Sequence, residues 1–264
     1  MYEAELQLAR DLAVRAGTTL TRYFRTGLAV EAKGWADPVT AADRESEAFI
    51  RSALLERYPE DGVDGEEEGR RPGTSGRVWL IDPLDGTADF AGGLPIFAVC
   101  ITLISAADPD RALLNVTYDP SRAELFHAVH GEGSFLDGYR LKASERADLA
   151  GALVHISFSN QRQIWPSTIE LVRRLTEVAP HARDLGSSAL AQAYVAAGRL
   201  DANLKVTSGK HDVIGGNLLI TEASGVVSNL DGNPWRELGS LAASAPGLHP
   251  LLIDLMRGLP RPGV

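Results

Sequence analysis

The 264-residue chain holds a single cysteine, Cys100, inside an apolar run. One thiol excludes an intrachain disulfide framework and any zinc site built on several thiolates. Long apolar runs are also missing. The longest, residues 96–104, is about half of what spans a bilayer. The chain opens on Glu3 and Glu5 without an apolar leader segment, so no signal peptide is read there and no membrane contact is expected. Basic residues are the minority: 26 Lys and Arg stand against 35 Asp and Glu, a net charge of −9. Phosphate-backbone binding depends on clustered Lys and Arg, so direct nucleic-acid binding is not expected. What remains is ordinary globular usage, 44% hydrophobic and 23% charged, which excludes disorder, collagen and coiled coil. The length suffices for a sizeable core. The composition reads as a soluble cytoplasmic α/β protein.

Leu6, Ala9, Ala13, Ala16, Leu20 and Phe24 recur at helical spacing, and Gly27 is a natural stop. Lys33 to Val39 reads as a loop or hairpin. A second helix is predicted over 40–58, with Thr40 and Asp43 as a capping pair. Residues 59–76 read as a loop rich in charge, Gly and Pro. Val78 to Ile81 reads as a buried strand broken by Pro83 and Gly86. Strands follow at 97–104, 112–118, 124–129 and 134–136, the last two joined by the Gly131-Glu132-Gly133 turn. The polar stretch Leu141 to Gly151 is the candidate boundary between two halves, 1–145 and 146–264. Strands at 153–158, 201–206 and 226–228 then alternate with helices at 166–178, 187–197, 212–223 and 250–256. This order fits α/β layers.

The most informative segment is Asp82-Pro83-Leu84-Asp85-Gly86-Thr87, at the end of the predicted buried strand. Two carboxylates on one tight turn repel each other unless a cation sits between them, and hard divalent ions such as Mg²⁺ prefer oxygen ligands. Gly86 and Thr87 offer backbone N–H groups suited to an anion. Together these describe a metal-assisted phosphoryl site; the plain alternative is an Asp-Gly turn with two solvated acids. The acidic run at 61–69, taken alone, reads as solvated surface and lacks the EF-hand spacing. Lys210-His211-Asp212 precedes an apolar helix that Asp212 could simply cap. Gly209-Lys210 is not a P-loop, and Gly73 to Gly76 is not a nucleophile elbow. His127 and His130 in one strand point to opposite faces. Cys100 reads as a buried core thiol.

These three segments together resemble the inositol monophosphatase family of Mg²⁺-dependent, Li⁺-sensitive sugar and inositol phosphatases. Its G-E-E motif matches Gly65-Glu66-Glu67. Its D-P-[IL]-D-G-T signature matches Asp82 to Thr87, and Phe90 continues it. W-D followed by E-A-G-G matches His211-Asp212 through Glu222-Ala223-Ser224-Gly225. The D-x-V-T-x-x-D pattern matches Asp37 to Asp43. The matches span nearly the whole chain in the family's order.

The resemblance implies an αβαβα sandwich of the inositol monophosphatase and fructose-1,6-bisphosphatase type, with the site between the two halves, and a homodimer. It implies a Mg²⁺-dependent phosphomonoesterase acting on a small phosphorylated polyol, inositol 1-phosphate first. Alternatives are fructose 1,6-bisphosphate, histidinol phosphate and 3′-phosphoadenosine 5′-phosphate. A non-enzymatic alternative is a regulatory binding module, since some bacterial relatives associate with the transcription machinery. By resemblance, Glu66, Asp82 and the Leu84 carbonyl hold a first metal, and Asp82, Asp85 and Asp212 a second. A weaker third would sit near Glu66, with Mn²⁺ as an alternative ion. Thr87 and Asp43 pair to help Glu66 activate water. Gly86 and Thr87 bind phosphate, and Asp85, Gly186, Ser188, Lys205 and Asp212 meet the substrate. Two metals clamping the attacking and leaving oxygens agree with in-line displacement.

Three positions depart from the pattern: His211 replaces tryptophan, Ser224 a glycine, and Lys205 a substrate-contacting glutamate. A lysine can only donate hydrogen bonds and suits a substrate with an extra anion. The plain alternative is a solvated lysine at a strand end.

Overall fold

The computed structural model describes residues 2–27, 29–34 and 37–259; of the D-x-V-T-x-x-D pattern, the side chains of Asp37 and Pro38 lie outside that description. Helix α1 (Glu3–Tyr23) buries Ala9, Leu12, Ala13, Ala16 and Leu20 along one face. It ends before Gly27, contrary to expectation. The Phe24 ring packs against Phe90 and Phe97, 5.5 and 5.1 Å away, and Arg25 takes a left-handed φ of 61°. Strands β1 (Glu31–Gly34) and β2 (Asp37–Val39) form the hairpin. Helix α2 (Ala41–Arg57) starts on the expected capping box: the Thr40 N–H donates to Asp43 Oδ2 at 2.8 Å.

Residues 59–76, read as a loop, hold β3 (Gly62–Gly65) and β4 (Gly69–Arg71). Their polar, glycine-rich sequence hides them, because strand pairing here rests on backbone bonds. Within this stretch Asp61 is buried and accepts from Trp79 Nε1 at 2.9 Å. Strand β5 (Arg77–Asp85) passes through Pro83 instead of stopping before it. Then come α3 (Thr87–Ala91), β6 (Ala98–Ser105), β7 (Ala112–Asp119), β8 (Glu124–Val129), β9 (Gly133–Leu136) and β10 (Tyr139–Arg140). The eight-stranded sheet has the order β10-β9-β8-β7-β6-β5-β3-β4, antiparallel except where β3 runs parallel to β5. Residues 141–152 carry neither helix nor strand.

A five-stranded sheet follows, ordered β12-β11-β13-β15-β14. Its elements in chain order are β11 (Leu153–Ile156), α4 (Trp165–Thr176), β12 (His181–Arg183), α5 (Ser188–Ala196), β13 (Ala202–Lys205), α6 (Lys210–Glu222), β14 (Val226–Ser228), β15 (Leu241–Ser244) and α7 (His249–Met256). The short strands β12 and β15 carry no periodic signal and exist through their pairing with β11, β13 and β14.

Three buried clusters set the layers. Helices α1 and α2 pack on the outer face of the large sheet, α5 and α6 fill the space between the sheets, and α4 and α7 cover the far face of the small one. This is the expected αβαβα sandwich. His127 is buried and stacked on Phe135, and its desolvated ring is pushed down to about 4, so it stays neutral. Cys100 is a buried free thiol that burial pushes well up. Glu222 accepts from the N–H groups of Gly131 and Gly133 at 2.7 and 2.9 Å, tying the end of α6 to the β8–β9 turn.

Helix α6 lies close to its neighbours because two of its residues lack side chains. A Cβ on Gly215 would stand 2.1 Å from Asn115 Oδ1, and one on Gly216 would stand 2.2 Å from Gln192 Oε1. That approach fixes Asp212, one turn earlier. Gly215→Ala should therefore lower stability by about 1–3 kcal/mol through overpacking, read as a drop in the urea midpoint. An unchanged midpoint would show that α6 shifts freely.

Candidate active site

A regular strand would send Asp82 and Asp85 to opposite faces, since side chains alternate. Strand β5 avoids this with a bulge. Asp82 pairs with Cys100 and Asp85 with Ala98, so Pro83 and Leu84 together face one residue of β6. Both carboxylates thereby fall on the face where Ala98 and Cys100 pack against Ala189 and Leu190 of α5. The sequence shows the pair of acids; the bulge is what brings them to one side.

Asp85 meets the start of α5. It accepts from the Ser187 hydroxyl, from the Ser188 N–H at 3.2 Å and from the Ala189 N–H at 3.1 Å. Burial still pushes its carboxyl up to about 6, with Asp212 adding to the rise. Asp82 is buried and its proton affinity is raised well above the ordinary carboxylate range. Burial is the main cause, followed by the negative charges of Glu66, Asp85 and Asp212. Glu66 arrives by register: β3 runs beside β5 with Gly65 opposite Ile81, and the Glu66 N–H extends the pairing to the Ile81 carbonyl at 3.1 Å. The Glu66 carboxyl then shares a hydrogen bond with Asp82.

Beyond the bulge, Gly86 adopts φ 89°, with a hypothetical Cβ 2.7 Å from the Ile96 carbonyl, so only glycine fits. The Thr87 hydroxyl lies 2.9 Å from the Leu84 carbonyl and 3.3 Å from Asp43 Oδ1. This brings together the expected Thr87 and Asp43 pair. Burial raises the proton affinity of Asp43, against hydrogen bonds from Thr40 and Thr87.

On the other side, Asp212 is half-buried near the start of α6. Lys205, at the end of β13, is buried rather than solvated. Its Nζ donates to Asp212 Oδ2 at 2.9 Å and to Ser188 Oγ at 2.7 Å. Burial opposes the charge on Asp212, but the Lys205 ammonium outweighs it and holds the carboxyl below its usual value. Lys205, Asp212, Ser188 and Gly186 line one side of a polar pocket of about 330 Å³. A Cβ on Gly186 would stand 2.2 Å from Asp89 Oδ2.

Two contributors escape sequence reasoning. Glu47 of α2 is fully buried and accepts the N–H groups of Glu67 and Glu68 at 2.8 and 2.9 Å, with Arg51 beside it at 3.0 Å. It explains Gly65: a Cβ there would stand 1.9 Å from Glu47 Oε1. The available signal was its spacing of three and seven to Ile50 and Leu54, which puts a carboxylate on the apolar face. Asp64 is the second. It accepts from Lys210 Nζ at 2.7 Å, and His211 Nε2 sits 3.5 Å from its carboxylate and 3.1 Å from its carbonyl. The His211 hydrogen bond is the main force holding Asp64 well below the usual range. His211 thus clips the start of α6 to β3.

Among the described residues no three acidic, histidine or cysteine side chains converge to grip one ion as they stand. Asp85 is engaged by α5 and Asp212 by Lys205. The donors nevertheless suit a hard cation: they are all oxygens, and the raised proton affinity of Asp82 marks negative charge that lacks a counter-ion.

The model of the inositol monophosphatase family matches residues 1–260. The chain belongs to that family. It is 37% identical over 257 residues to the Nus factor SuhB of Escherichia coli K12, covering 96% of this chain and 95% of the relative. The extragenic suppressor protein suhB of Bartonella henselae superposes with a TM-score of 0.91 at 30% identity, over 97% of this chain and 99% of that one. The IMPase of Thermotoga maritima gives 0.87 at 27% identity, over 98% of both. The three segments at 65–67, 82–87 and 211–225 are brought to one place in this chain by β3, β5 and α6.

Asp82 holds a proton more tightly folded than unfolded, where 3.8 is usual. The stability this gives is complete below about pH 4 and is lost as pH rises. In EDTA at pH 8, Asp82→Asn should therefore be more stable than the parent by about 1–3 kcal/mol. The gap should narrow toward pH 4.5. Urea melts at both pH values check this; a variant less stable at pH 8 would contradict the uncompensated charge.

Proposed function

We propose that this chain is a metal-dependent phosphomonoesterase for a small phosphorylated polyol, with inositol 1-phosphate as the leading substrate. The observation that carries it is the β5 bulge, which sets Asp82 and Asp85 on one face toward Glu66 and Asp212, beside the Thr87–Asp43 pair. Glu66, Asp82, the Leu84 carbonyl, Asp85 and Asp212 would hold two or three Mg²⁺ ions, or Mn²⁺, which when bound neutralise phosphoryl charge and make water a better nucleophile.

The protein's own groups do the positioning. The Thr87 hydroxyl, 2.9 Å from the Leu84 carbonyl and 3.3 Å from Asp43 Oδ1, donates its one hydrogen to either and so accepts from the attacking water. Asp43 and Glu66 are the carboxylates that draw off the proton, and the burial of Asp43 suits it to hold one. The Gly86 and Thr87 N–H groups orient the phosphate. Gly186, Ser188 and Lys205 contact the alcohol portion, and Asp212 faces its leaving oxygen. A pocket of about 330 Å³ is at the small end of ligand sites and suits a single ring. By likeness to the family, the reading includes Li⁺ sensitivity, a homodimer and a cytoplasmic location.

The likeness to a Nus factor supports a second reading, a role beside the transcription machinery. The net charge of −9 favours protein over nucleic acid as its contact there.

Phosphate release with Mg²⁺ tests the proposal. The panel is inositol 1-phosphate, fructose 1,6-bisphosphate, histidinol phosphate and 3′-phosphoadenosine 5′-phosphate, each with and without Li⁺. The expected result is Li⁺-inhibited release, fastest from inositol 1-phosphate. Asp85→Asn should cut kcat at least about 100-fold. Preference for a bisphosphate would replace the substrate. No release from any, with metal bound, would favour the second reading.

A further inference from the structure

Lys205 occupies a position where a long cation is costly. It ends β13, an interior strand of the five-stranded sheet, and is 6% exposed. A buried ammonium is tolerated only when paired and hydrogen-bonded. Its partners are Asp212 Oδ2 at 2.9 Å and Ser188 Oγ at 2.7 Å. The neighbouring cation, Lys210, is turned to Asp64 at 2.7 Å. Among the described lysines, Lys205 is therefore the one that reaches this acidic site, by its contact with Asp212.

We propose that Lys205 is a tethered cation that competes with a divalent ion for Asp212. The inference rests on the metal-site reading above. An ion binding at Asp212 must displace the ammonium or sit beside it, and like charges a few ångströms apart in a partly buried site repel strongly. Ser188 makes displacement feasible, because Lys205 keeps one acceptor after leaving Asp212. The chain thus carries a weakened second metal site whose occupancy the Lys205–Asp212 pair sets. The same ammonium offsets part of the acidic charge when no ion is bound there.

The test is a Mn²⁺ titration of the full chain at pH 7.5 without substrate, with free ion counted by electron paramagnetic resonance. Lys205→Met keeps the stem and removes the charge. Its weaker sites should bind Mn²⁺ at least about tenfold more tightly than the parent's. Lys205→Arg keeps the charge and should stay within about threefold of the parent. If Lys205→Met fails to fold by circular dichroism, Lys205→Gln serves with the same expectation. Parallel titration of Asp85→Asn separates the two levels. If it binds Mn²⁺ as the parent does, the metal-site reading itself fails. If it loses binding while Lys205→Met binds as the parent does, or more weakly, only the tethered cation is overturned.

Discussion

Negative charge gathered at the end of one buried strand is the constraint on which this molecule turns. Asp82 and Asp85 cannot both be ionised, buried and close without a counter-charge. The protein supplies part of it. The α5 start gives Asp85 two backbone N–H groups and the Ser187 hydroxyl. Lys205 sits on Asp212. Asp82 and Glu66 are left sharing a hydrogen bond, the part of the group most in need of a cation. The proposed chemistry grows from that need.

The layers serve the same end. The inner helices pack closely because Gly86, Gly215 and Gly216 carry no side chain where a Cβ would meet the Ile96 carbonyl, Asn115 Oδ1 and Gln192 Oε1. On the outer side, α2 sends Glu47 through the space that Gly65 leaves open, holding the Glu67 and Glu68 N–H groups and so the turn that carries Glu66. His211 and Lys210 pull the start of α6 onto β3 through Asp64. His211 thus joins the start of α6 to β3 through both the carbonyl and the carboxylate of Asp64.

Much of this was legible in the chain. The capping box at Thr40, the apolar face of α1 and the Gly-Glu-Gly turn each encode a local structure with a local cause. The D-P-L-D-G-T segment announced its carboxylates by type and spacing. What stayed hidden depends on partners distant in sequence. Strands β3 and β4 look like loop because their pairing is written in β5. The bulge at Pro83 is visible only as a register against β6. Lys205 reads as a strand-end lysine until Asp212 and Ser188 fold over it. Glu47 and Asp64 carry no motif; burial beside backbone donors or cations gives them their roles.

The most direct measurement is the melting temperature of the full chain at pH 8, in EDTA and in excess Mg²⁺, beside the Asp82→Asn/Asp85→Asn double variant. If uncompensated carboxylates define the site, Mg²⁺ raises the parent's melting temperature by several degrees and leaves the variant unmoved. Equal shifts in both, or none in the parent, would contradict the account.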